Sequence, residues 1–113
     1  MIIGVAGPFS ADTEAARKAN LDAMNEAAAK ILELGHIPLI GVNAALPVIE
    51  KSNIENKYEA IMEISMAVID RCEAILMIGS SPGADRERDF IKSKGLPVYY
   101  SIDEIPIIKN KIC

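Results

Sequence analysis

The chain has 113 residues, half of them hydrophobic and a quarter charged, with a formal charge of −4. That length supports one domain, residues 1–113, with a modest core; the acidic balance and the lack of any Lys/Arg cluster argue against a nucleic-acid surface. No leader-like segment and no membrane-length apolar run is visible, so a cytoplasmic protein away from the membrane is expected.

In chain order, Ile2, Ile3, Gly4, Val5 and Ala6 read as a short apolar strand stopped by Gly7 and Pro8, with Phe9 and Ser10 in a loop. An Ala-, Glu- and Lys-rich helix should run from Asp12 or Thr13 to Leu34 and end at Gly35. His36, the one histidine, reads as a partner for that helix's C-terminal dipole. Residues 37–40 read as a second strand, and Pro38 places it at a sheet edge. Asn43, Pro47 and Asn53 punctuate residues 41–56, which read as a loop with at most one helical turn. Asn43 could reach a base edge there, although a turn-forming asparagine is the simpler account.

A second long helix is expected from about Glu55 to Arg71. Tyr58, Ile61, Met62, Ser65, Ile69 and Cys72 would share one face, and Glu63, Ala67 and Asp70 would lie away from it. Residues 74–78 form a third, buried strand. A helix closing at Ser93, Lys94 and Gly95 follows, then a fourth strand at 96–100. Ser101 to Glu104 looks like a capped turn, and residues 105–113 read as a frayed tail. Strands alternating with helices imply an α/β fold, a small doubly wound parallel sheet of about four strands with helices on both faces. In such folds ligands bind beyond the carboxyl ends of the strands, so the loops after strands one and three should meet at one rim.

The second of those loops opens a helix. Ser81 is a good N-cap and Pro82 suits the first helical position, which makes the turn a natural seat for an anion. At 100° per residue Ala84, Glu87, Phe90 and Ile91 fall on one arc, with Asp85, Asp89 and Lys92 opposite. A glutamate inside an apolar stripe is either bent out to water or held inward for a chemical task. Arg86 and Arg88 could reach a phosphate, but beside Asp85 and Asp89 they read as a solvated charged face. Cys72 and Cys113 form no metal spacing and should be reduced thiols; no metal or cofactor is expected, and the methionines suit a core.

Taken together, several short motifs resemble the nucleoside 2-deoxyribosyltransferase-like superfamily, which includes deoxynucleoside-monophosphate N-glycosidases. They are Ala6-Gly7-Pro8-Phe9, Gly35-His36 after a long helix, Cys72-Glu73-Ala74-Ile75, Ser81-x-Gly83-x-x-x-Glu87 and Gly95-Leu96-Pro97-Val98, spread over about residues 1–100. The resemblance implies that Glu87 is a nucleophile attacking the anomeric carbon of a (deoxy)ribose. It implies that Ser81 and the N–H groups around Gly83 hold the 5′-hydroxyl or 5′-phosphate, that Gly7 and Pro8 let the backbone approach the ligand, and that Phe9 stacks on the base. Hydrolysis or transfer at the N-glycosidic bond of a nucleoside or its 5′-monophosphate is then expected, in a homodimer. The chain departs from the pattern twice. Ser65 stands where family enzymes carry an Asp, with Glu63 pointing the other way, and Asp89 replaces a glycine. The alternative expectation is a nucleotide-binding module of the same fold that is weak or inert as a catalyst.

Overall fold

Four apolar runs become one parallel sheet. The computed structural model describes residues 1–108. Its strands are β1 (Ile2–Ala6), β2 (Ile37–Leu39), β3 (Ala74–Met77) and β4 (Val98–Tyr99), in the order β2-β1-β3-β4 and all parallel. β1 and β3, the most continuously apolar, take the centre. β2 lies at an edge, where Pro38 faces Ile3 in the register.

Four helices cover the sheet: α1 (Glu14–Glu33), α2 (Gly41–Lys51), α3 (Lys57–Ile69) and α4 (Pro82–Ser93). Strand alternation divides the core between the two faces. Ile3, Val5, Ala74 and Leu76 pack with Met24, Ala28 and Ile31 of α1. On the other side Ala6, Ile75 and Met77 meet Ile69 and Cys72 at the end of α3, and Ala84 and Ile91 of α4. The doubly wound α/β architecture is therefore as expected. Local chemistry sets the helix ends. Thr13 Oγ1 accepts from the Ala16 N–H at 3.1 Å, and Asn56 Oδ1 accepts from the Glu59 N–H at 3.1 Å. Ser101 and Glu104 form a reciprocal capping box on the short 3₁₀ turn Ile102–Glu104.

Three expectations are corrected. Residues 41–51, expected as loop, form α2. No side chain caps the start of this helix, and Pro47 sits inside it without an N–H to give. Packing stabilises it instead: Gly41, Ala45 and Ile49 recur at helical spacing, and the helix lies mainly against α3. Residues 105–108, expected to fray, are docked. Ile105 is buried in the α1-side core, and the Ile108 N–H donates to the Leu34 carbonyl at 2.8 Å. The expectation for 109–113, and for the Cys113 thiol, lies outside the described residues. His36, read as a partner for the α1 dipole, gives its ring nitrogens to other groups. It is 1% exposed; its Nε2–H donates to the Pro106 carbonyl at 2.6 Å, and its Nδ1 accepts from the Met1 nitrogen at 2.9 Å. Among the described residues no helix is long and apolar enough to cross a membrane.

α2 and α3 touch backbone to backbone at one point. A methyl group on Gly41 would lie 2.7 Å from Ser65 Cβ and 2.8 Å from Ser65 Cα, atoms that cannot swing aside. Gly41→Ala is expected to destabilise the fold by about 1–3 kcal/mol, measured by urea denaturation. An unchanged midpoint would contradict this close approach.

Candidate functional site

The carboxyl ends of β1 and β3 point to the same side of the sheet, and the loops that follow them touch. A methyl on Gly79 would lie 2.7 Å from Pro8 Cδ, and one on Gly7 would lie 2.6 Å from Ile78 Cγ1. Asn20 braces the first loop by donating to the Phe9 carbonyl at 3.1 Å. The second loop is shaped by Ser81. Its backbone is extended (φ −161°, ψ 163°), and its hydroxyl accepts from the Ala84 N–H at 3.1 Å, with Pro82 as the first helical residue. This start fixes the rotational phase of α4 and turns Ala84, Glu87 and Ile91 inward.

Between the loops, α2 and α3 lies a cavity of about 540 Å³. Gly7, Pro8 and Phe9 line it from the first loop, Ser81, Gly83 and Glu87 from the second loop and α4, and Ser65 from α3. All seven residues singled out in the sequence thus share one cleft. Gly41 and Val42 of α2, and Tyr58 and Met62 of α3, complete the wall. Tyr58 and Met62 were visible on the inward stripe of α3. The α2 residues were hidden by reading that segment as loop.

Glu87 is the one carboxylate on the wall among the described residues, and it is 7% exposed. Burial pushes its carboxyl up to about 7, and among the described residues no cationic side chain lines the cavity to pull it back. Ser65 is 1% exposed, and its hydroxyl is buried with no hydrogen-bond partner among the described residues. Buried polar groups are ordinarily satisfied, so an orphan on a cavity wall marks where a ligand's polar group can sit. Glu63 is exposed on the opposite side of α3 and does not reach the cleft. Asn43 also turns away, donating to Asn25 Oδ1 at 2.8 Å. Arg88 faces Asp85 at 3.5 Å and Asp89 at 3.0 Å, and Arg86 is exposed, which is the solvated charged face expected of them. Met77 packs in the core, whereas Met62 fills the wall beside Gly83. Cys72 is buried as a free thiol, and burial pushes it up to about 11. Among the described residues no three His, Cys, Asp or Glu side chains converge as a metal would need.

Fold and cleft define a class: a small parallel α/β protein whose strand-end pocket holds, among the described residues, a single desolvated carboxylate. Within that class, residues 1–100 match the family described as a domain of unknown function, DUF4406, and the chain belongs to that family. No curated protein matches it.

Two stability measurements check this geometry. Ser65→Ala removes an unpartnered buried hydroxyl, so the free protein should be unchanged or gain up to about 2 kcal/mol. A loss of that size would mean that the hydroxyl is bonded after all. Glu87 binds its proton more tightly in the folded chain than in the unfolded one. Its contribution is therefore fully present below the unfolded value of 4.5 and is lost as pH rises through about 7. Glu87→Gln should stabilise the protein by up to about 3 kcal/mol at pH 8.5 and by little at pH 4, read from paired thermal melts.

Proposed function

We propose that this chain cleaves or transfers the N-glycosidic bond of a nucleoside or nucleoside 5′-monophosphate, with Glu87 as nucleophile. The observation that carries the reading is the inward, desolvated Glu87 carboxylate beside the Gly7-Pro8-Phe9 loop, in a cavity of about 540 Å³. That volume suits a nucleoside-sized ligand. The resemblance to the nucleoside 2-deoxyribosyltransferase-like superfamily supports it, because two of the motifs carrying the resemblance, Ala6-Gly7-Pro8-Phe9 and Ser81-x-Gly83-x-x-x-Glu87, line the cleft.

In this reaction a Glu87 oxygen attacks the anomeric carbon as its bond to the base nitrogen breaks, through an oxocarbenium-like transition state. The base leaves with the bonding pair and takes up a proton. Water, or a nitrogen of a second base, then attacks the same carbon and releases the Glu87 carboxylate. Because α4 packing holds Glu87 in place, little rotamer freedom is spent at the moment of attack. Phe9 offers a face for the base, and the Ser65 hydroxyl a polar contact in the depth of the cleft.

A second reading, a nucleotide-binding module that turns over slowly or not at all, is favoured by one observation: the cleft wall holds no second acid among the described residues. Without a donor for the leaving base the reaction forgoes about 10²–10⁴ in rate. The enzyme reading therefore calls for a proton from solvent or from a second copy of the chain in a homodimer.

Incubation with a panel of nucleosides and 5′-monophosphates, followed by chromatography for free base, separates the two. The enzyme reading expects release that falls by about 10³-fold or more in Glu87→Ala. It also expects kcat/KM to rise with pH and level off above about 7, since only the ionised carboxylate attacks. Equal release by both proteins would remove Glu87 from the chemistry; ligand binding without release would leave the module.

A further inference from the structure

A nucleoside and its 5′-monophosphate differ by a phosphate carrying close to two negative charges, and the groups around this cleft respond to that difference. Among the described residues lining the cavity none is Lys, Arg or His, while Glu87 adds a carboxylate to the wall. Asp85, in the first turn of α4, lies outside the cavity lining, where it accepts from the Ser80 hydroxyl at 2.9 and 3.0 Å and faces Arg88 at 3.5 Å. The start of α4 is also poorly equipped for an anion. Pro82 has no N–H, that of Ala84 goes to Ser81 Oγ at 3.1 Å, and that of Asp85 goes to the Ser81 carbonyl at 2.8 Å. Gly83 alone retains a free first-turn N–H.

Among the described residues, the cations of α4 and of the segments next to the cleft are engaged or outside. Arg17 Nη1 donates to the Ala11 carbonyl at 2.8 Å, and Arg88 is held between Asp85 and Asp89. Arg86 and Lys57 are exposed and do not line the cavity. A phosphate placed here would shed water without gaining a counter-charge, and it would face Glu87 across a poorly polarisable space.

Resting on the nucleoside reading above, we infer that the ligand of this cleft is the uncharged nucleoside and that its 5′-monophosphate is disfavoured. The 5′-hydroxyl sits on Ser81 and the Gly83 N–H, which together offer about what one hydroxyl can use.

Calorimetric titration of the full chain with the common ribo- and 2′-deoxynucleosides and their 5′-monophosphates at pH 8 tests this, with base release followed in parallel. The nucleosides are expected to bind at least about tenfold more tightly than the matching monophosphates. Glu87→Gln, which removes the one carboxylate on the wall among the described residues, should narrow that ratio. Monophosphates binding as well as nucleosides, or better, would overturn the inference while leaving Glu87-dependent base release intact. Tighter nucleoside binding without base release would support it and remove only the enzyme reading. No binding of either class would overturn both.

Discussion

A carboxylate held out of water with no positive charge on the same wall among the described residues is costly, and the architecture around Glu87 is what makes it keep that position. The helical phase of α4 does so directly. Ser81 and Pro82 start the helix abruptly, and Ala84 and Ile91, one turn either side of Glu87 on the same stripe, are bound into the core against β1 and β3. Rotating Glu87 to solvent would expose Ile91 and Ala84, so the apolar neighbours hold the acid inward. The desolvation that lifts its proton affinity toward neutrality is a consequence of that anchoring, and a carboxyl poised near neutral pH is the form in which such a group can do chemistry.

The cleft follows from the same economy of parts. Two parallel strands end side by side, and their loops approach closely enough that Gly7 and Gly79 have no room for a side chain unless neighbours move. α2 and α3 then close the far side, meeting at Gly41 and Ser65, so that the Ser65 hydroxyl is buried on the wall with no hydrogen-bond partner among the described residues. A close helix contact and an orphaned polar group at one spot tie the shape of the pocket to its chemistry.

Much of this was legible in the chain itself, for reasons that are local. β1 and β3 are unbroken apolar runs, α1 and α4 carry their own N-caps, and Pro38 marks an edge; each signal acts within a few residues. The inward phase of Glu87 could be read for the same reason, since a known start and 100° per residue determine a face. What could not be read depends on distant partners. α2 has no capping side chain and contains Pro47, and only its packing on α3 reveals it as a helix. The docking of residues 105–108 rests on Leu34 and His36, some 70 positions away. His36 looked like a terminus-facing imidazole because neither of its hydrogen-bond partners is close in sequence.

The central claim is that Glu87 is desolvated and faces the ligand. It can be tested by following the Glu87 side-chain carboxyl carbon by NMR through a pH titration, with and without a bound nucleoside. The account predicts a midpoint near 7 in the free protein and a clear displacement of that midpoint when nucleoside is added. A midpoint at the ordinary glutamate value of about 4.3, unmoved by nucleoside, would contradict it.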